Sequence, residues 1–237
     1  MAEKPTRSRD RVAVEYSEKH WSLLVRLRGL ALATMKALSL GSLPSIVHGS
    51  VARGDVDTRS DVDVVIPLVA PSHRVELALT NAGFKPYSRR IVQATPGLSP
   101  KAQLSLDLEG YHTVTFPLLA FKPRELDFYK FGGMLNPEQV AAEARVPGCT
   151  KRLTLIEPTP RGHIESPIEG RESEVARVVG VALETVQERV RVLKRRDEVG
   201  RTGVYLNVSL AEEETFEGAL KRLADSNPVL RRRYARG

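Results

Sequence analysis

A chain of 237 residues with a single cysteine closes no internal disulfide and builds no thiolate-rich zinc site, which excludes the disulfide-stapled secreted classes and fits a reducing cytosol. The length suffices for one large or two modest domains, and no run approaches the ~18–20 apolar residues of a membrane span or has the form of a signal peptide, so a cytoplasmic protein with no membrane partner is expected. A formal charge of +7 and a pI near 9.7 favour a polyanionic partner such as RNA or DNA; arginine supplies 26 of the 36 basic residues, which suits phosphate but also follows from a hot habitat or coding bias.

In chain order, residues 1–10 read as a polar arm in which Lys4, Arg7 and Arg9, with Arg11 just beyond, are available to phosphate. From about Glu15 to Leu38, Trp21, Leu24, Leu27, Ala31, Met35 and Leu38 recur at helical spacing and predict a long amphipathic helix lying beneath a sheet. Ile46 and Val47 close one short strand, and Val62, Val64, Val65 and Ile66 belong to another. Pro71 opens a helix that runs to about Asn81 and is ended by Gly83; a strand follows around Ser88 to Gln93. Gln103–Glu109 and His112–Phe116 alternate on either side of a Gly110-Tyr111 turn and predict a hairpin.

The segment between the two apolar runs carries the chemistry: Ile46-Val-His-Gly49-Ser50, ten further residues, then Asp61-Val62-Asp63. Residues two apart on a strand share a face, so Asp61 and Asp63 stand side by side, a place for a divalent metal, which needs only one or two carboxylates when substrate phosphates complete its shell. Ser50 sits where strand gives way to helix, so that its hydroxyl and the adjacent backbone N–H groups suit a triphosphate, with Arg53 close by to neutralise charge.

This motif resembles that of the nucleotidyltransferase superfamily of DNA polymerase beta type, which includes the CCA-adding and minimal nucleotidyltransferases: Gly-Ser, a spacer, then Asp-x-Asp. The match lies on Gly49, Ser50, Asp61 and Asp63, with Ala52, Arg53, Gly54 and Ser60 also typical. The resemblance implies transfer of a nucleoside monophosphate from an NTP to an acceptor hydroxyl. It assigns Mg²⁺ or Mn²⁺ to Asp61 and Asp63, and nucleotide binding to Gly49, Ser50, Arg53 and Ser60. It also implies a third carboxylate on a later strand. Where that aspartate is expected the chain has Thr113, Val114 and Thr115, which leaves Asp107 or Glu109 on the preceding strand as substitutes, with Asp107 the catalytic candidate. Several later segments, among them Phe128-Tyr-Lys-Phe-Gly-Gly133 and Lys151-Arg-Leu-Thr-Leu-Ile-Glu-Pro158, resemble predicted archaeal nucleotidyltransferases whose acceptor the likeness does not name.

Beyond the motif, Arg124–Gly133 concentrates aromatics: Leu126, Phe128, Tyr129 and Phe131 either cap a core or offer a platform to a base. Pro137 to Ala144 predicts a helix, Lys151–Pro160 a strand, and Arg161–Gly170 a connector whose His163, Glu165 and Ser166 are polar enough to touch substrate but lack the elbow of a catalytic triad. Ala176, Gly180-Val181, Val186, Val190 and Leu193 have helix-turn-helix spacing, with residues 195–208 as a wing. The recognition face would expose Glu184, Gln187, Glu188 and Arg191, a mixed set, with Lys194, Arg195, Arg196 and Arg201 better placed for phosphate. A helix from Glu212 to Ala224 and a basic tail from Arg231 to Arg236 end the chain.

The expected architecture is α/β (α+β): a polymerase-beta-type domain with a mixed sheet over 12–135, a connector over 136–170, and a helix-turn-helix or winged-helix unit over 171–237. Two other functions fit the same fold: a catalytically inactive nucleic-acid-binding regulator, and an antitoxin-like enzyme that adenylylates a protein.

Overall fold

The computed structural model describes residues 11–200 and 203–235. The elements run β1 (Val12–Glu15), α1 (Glu18–Leu40), β2 (Ile46–His48), α2 (Ser50–Arg53), β3 (Val62–Val65), α3 (Ser72–Asn81), β4 (Ser88–Gln93), β5 (Lys101–Ser105) and β6 (His112–Pro117). Then follow α4 (Pro123–Phe131), β7 (Met134–Leu135), α5 (Pro137–Ala141), β8 (Gly148–Cys149), β9 (Thr154–Thr159) and β10 (Gly162–Pro167). The last elements are α6 (Glu172–Val179), α7 (Leu183–Val199), β11 (Leu206–Ser209), α8 (Phe216–Ser226) and α9 (Pro228–Tyr234). The basic arm 1–10, with Lys4, Arg7 and Arg9, lies outside the described residues, as do Arg201 and Arg236. No helix among the described residues is long and apolar enough to cross a membrane.

The chain divides into two compact units that interleave along the sequence. The first comprises residues 1–30, 47–60 and 124–202; the second comprises 31–46, 61–123 and 203–237.

In the first unit, β1, β10, β9 and β8 form an antiparallel sheet in that order. Residues 161–170, expected as a connector, therefore supply a strand. It pairs with the adjacent β9 along its whole length and, some 150 residues away, with β1, where Val14 faces His163 and Glu15 faces Gly162. The apolar side of this sheet, through Cys149, Leu153, Leu155 and Ile168, shares one core with Phe131 and with Val175, Ala176, Val186, Val190 and Leu193 of α6 and α7. The inward residues of that helix pair are those the spacing indicated, and Gly180 makes the turn with φ 70°. Tyr129 and Phe131 of α4 are buried, whereas Phe128 stays 36% exposed beneath the Arg189 guanidinium at 4.9 Å.

The second unit contains five strands in the order β11-β4-β5-β6-β3. Pairing is antiparallel except between β6 and β3, which run parallel. The carboxy-terminal half of α1 packs on it: Met35 and Leu38 are fully buried, and Thr34 Oγ1 meets His112 Nε2 at 2.8 Å. Phe116 of β6 and Phe216 of α8, both fully buried, meet edge to face with centroids 5.7 Å apart. The stretch expected as a wing is α7 up to Val199, and its later part supplies β11, which pairs with β4 rather than forming a hairpin of its own. The basic tail is helical through Tyr234, with Arg233 donating to Gly97 O and Ser99 Oγ.

Candidate active site

Gly49, Ser50, Arg53 and Ser60 belong to the first unit, and Asp61, Asp63 and Asp107 to the second.

In the first unit β2 ends at His48 and the chain turns at once into α2. Gly49 makes that turn with φ 83° and ψ −146°, a left-handed combination that a side chain strains. Its N–H donates to Gly133 O at 2.9 Å, while its carbonyl accepts from Ala52 and Arg53 N–H. The Ser50 hydroxyl donates to Ser60 Oγ at 3.1 Å, and Ser60 Oγ accepts the Asp57 N–H at 2.9 Å, so the two serines of the motif are joined directly.

Arg53 is enclosed by the fold. Its side chain is 5% exposed; Nη1 donates to Gly132 O at 2.6 Å, and Nη2 pairs with Asp55 at 2.8 Å. A guanidinium so enclosed binds α2 to the turn before β7 and offers little to a phosphate. Nearby, burial pushes the Cys149 thiol up to about 12, against the opposing pull of Arg53, so this cysteine is a core residue and no nucleophile.

Three further residues hold α2, and only one had a signal in the sequence. Arg28, 8% exposed, donates to the Val51 and Ala52 carbonyls at 3.0 and 3.1 Å, a cation at the carbonyl end of the short helix. Burial lowers its pKa to about 10, with Arg145 adding to the effect. Four residues after Leu24, Arg28 lies on the apolar stripe of α1, and a charged residue there was the available clue. His20 Nε2 meets Gly54 O at 2.7 Å, and its ring stacks on Tyr16 with centroids 3.6 Å apart. Arg145 lies over the Trp21 ring at 4.9 Å and against Gly54, where an added Cβ would come within 2.6 Å of its Cδ. Tyr16, raised well above the usual tyrosine range mainly by burial, contacts His163 Nδ1 at 2.6 Å, and His163 Nε2 meets Glu165 at 3.1 Å. His163 is thus buried between Tyr16 and Glu165, whose own side chain stays 38% exposed.

In the second unit Asp61 directly precedes β3 and is exposed, and Asp63 is half-buried on the strand. The parallel register sets Asp63 opposite Thr113, whose Oγ1 donates to Asp63 Oδ1 at 2.5 Å. The neighbouring strand thus brings a hydroxyl to the Asp63 carboxylate. Asp107 does not sit on β5 as the alternation suggested. Antiparallel pairing ends at Ser105 opposite Thr113, Leu106 N–H donates to His112 O, and the chain then leaves the sheet through bends over 106–110. Asp107 Oδ1 is buried there and accepts no hydrogen bond among the described residues, while Glu109 is exposed. Both Asp107 and Asp63 favour the charged form of His112, but burial outweighs them and holds its pKa below the ordinary value.

Among the described residues no three His, Cys, Asp or Glu side chains converge as a metal cage. A pair of carboxylates beside a hydroxyl donor still fits an ion that completes its shell with water and substrate phosphate. Lys194 on α7, one of the basic residues set aside for phosphate, is paired with Glu169 at 2.6 Å.

Residues 34–115, about a third of the chain, match the family model described as nucleotidyltransferase domain; they span α1 to β6 and include Gly49-Ser50, Asp61-x-Asp63 and Asp107. No curated protein and no solved structure matches the chain. The mixed α/β arrangement agrees with that domain, and the match over residues 34–115 supports a place in the polymerase-beta-type nucleotidyltransferase superfamily.

Proposed function

We propose that the protein is a metal-dependent nucleotidyltransferase that moves a nucleoside monophosphate from an NTP to an acceptor hydroxyl. The observation that carries the reading is the pair of Asp61, just before β3, and Asp63 on it, with Thr113 donating to Asp63, inside a segment that matches the nucleotidyltransferase domain.

Asp61 and Asp63 would hold Mg²⁺ or Mn²⁺, which when bound neutralises charge on the α-phosphate and on the leaving pyrophosphate. Gly49, Ser50 and Ser60 take the donor: the turn into α2 offers its first amides, and the serine hydroxyls are already linked to each other. Arg53 acts indirectly, by fixing that turn through Gly132 and Asp55. The acceptor oxygen bonds to the α-phosphorus as the bond to the bridging oxygen breaks; pyrophosphate leaves, and the hydroxyl proton passes to the Asp107 carboxylate.

The test is calorimetric titration of each NTP with and without Mg²⁺ into wild type and an Asp61→Asn/Asp63→Asn double mutant. Binding that needs both metal and aspartates supports the reading; a folded wild type that binds no NTP overturns it. One observation favours a second reading: with Thr113 in place of a third carboxylate, the fold also suits an inactive nucleic-acid-binding regulator. That protein would bind RNA or DNA with a salt dependence unaffected by the double mutation. In either case the basic end of α7, Arg195 and Arg196, is the surface that would meet phosphate, as a helix-turn-helix unit does.

A further inference from the structure

The connection from Leu106 to Tyr111 joins β5 to β6 and ends beside the start of β3. In the parallel pairing Val62 faces His112 and Asp63 faces Thr113, and Val62 N–H donates to Tyr111 O at 2.6 Å. One step back in that register, Tyr111 comes beside Asp61. Residues two apart on a strand share a face, and the Thr113 hydroxyl on Asp63 identifies which face that is. Continued one residue beyond β6, that alternation puts Tyr111 on the side of the sheet where Thr113 meets Asp63. Yet it is 53% exposed, and Leu108 in the same connection is 80% exposed. An aromatic and a large aliphatic residue held in water, in the same connection as Asp107, form a ligand surface rather than core.

We propose that Tyr111 is a stacking residue for the acceptor, which is a polynucleotide end whose terminal base lies on the phenol ring while its hydroxyl reaches Asp107. The proposal rests on the transferase reading above. Three features select this occupant. The donor triphosphate is assigned to the turn after β2, whereas Tyr111 sits in the same connection as the acid that receives the acceptor's proton. A tyrosine face accepts any base, since every base has a π-face. The formal charge of +7 favours a polyanion over a neutral or basic acceptor.

The test compares a short single-stranded RNA ending in 2-aminopurine with the same RNA ending in an abasic residue, each titrated by anisotropy into wild type, Tyr111→Phe and Tyr111→Ala. Wild type and Tyr111→Phe should bind the base-ended RNA about tenfold more tightly than the abasic one, the scale of a single base–aromatic stack. Tyr111→Ala should abolish that difference and leave abasic binding unchanged. Tyr111 is exposed, and thermal unfolding of each variant confirms the fold. A base preference that survives in Tyr111→Ala, an equal loss for both RNAs, or no RNA binding by wild type would each overturn the proposal, the last pointing to a protein or small-molecule acceptor. Mg²⁺-dependent NTP binding, measured on the same variants, keeps the two failures apart. If NTP binds normally while the base preference is absent, only the stacking proposal falls. If wild type binds no NTP, the transferase reading falls.

Discussion

Replacing Thr113 by valine removes one hydroxyl and almost nothing else, and it tests whether β6 orients Asp63, the carboxylate proposed to bind metal. The residue is 3% exposed and its Oγ1 lies 2.5 Å from Asp63 Oδ1, the only change being at that contact. A hydrogen bond to a charged group contributes ~1.5–3 kcal/mol, and because Asp63 is only half-buried the low end applies, so global stability should fall by ~1.5 kcal/mol or less. The functional effect should be larger than the structural one. A group that orients a metal ligand typically changes metal affinity by ~10–100-fold when lost, because the carboxylate must then be ordered at the moment of binding. The assay is the Mg²⁺ concentration dependence of NTP binding by calorimetry, with thermal unfolding alongside. Thr115→Val is the control: it lies two residues along the same strand and face but opposite Val65. A Thr113→Val protein that is folded and has wild-type Mg²⁺ dependence, or a Thr115→Val protein equally impaired, would refute the assignment.

Other expectations concern the frame. Gly54→Ala forces a side chain at φ 103° and within 2.6 Å of Arg145 Cδ, and should cost ~1–3 kcal/mol in chemical unfolding, with weaker NTP binding because α2 ends there. Phe216→Ala opens a cavity against Phe116 and Arg89 and should cost ~3–5 kcal/mol. Glu217 has its pKa raised by burial but lowered further by the Ser72 N–H and hydroxyl, each at 2.7 Å, and it ends below the ordinary 4.5. A carboxylate lowered on folding contributes stability that is full above the unfolded value and is lost as pH falls through the folded one. Glu217→Gln should therefore reduce stability at pH 7 and flatten its decline below about pH 4.5, read by urea unfolding across that range.

The local parts of the motif were legible in the sequence because short-range pattern determines them. Val62 and Val64 flank Asp63 in an apolar run that continues to Ile66, and Gly49 takes the positive φ at which β2 breaks into α2. The placement of Asp107 was not legible, because Leu106-Asp-Leu-Glu continues the strand alternation after the pairing has ended. Where β5 stops is decided by its partner, at Ser105 opposite Thr113. Arg53 shows the same limit in another form. Its distance along the chain from Ser50 suggests phosphate, but the carbonyls that capture it, of Gly132 and Cys149, are 79 and 96 residues away. Tyr16 and His163, 147 residues apart, come into contact only through the β1–β10 pairing.

The substitution of a hydroxyl for the third carboxylate carries a consequence for how metal would arrive. Three acids around a site repel one another strongly without an ion, and they hold a cation in the absence of substrate. Two acids, one of them exposed and the other already hydrogen-bonded by Thr113, create a weaker field in solvent of high dielectric. Mg²⁺ dehydrates reluctantly and readily shares its shell with substrate phosphates, so on the transferase reading it should enter with the NTP rather than before it. Mg²⁺ titrated alone into the protein should then bind weakly. In the presence of a non-reactive NTP analogue its affinity should rise by at least about tenfold, and by linkage Mg²⁺ should raise affinity for the analogue by the same factor. Equally tight Mg²⁺ binding with and without the analogue would mean that further ligands complete the site, and that Thr113 does not stand where the charge is missing.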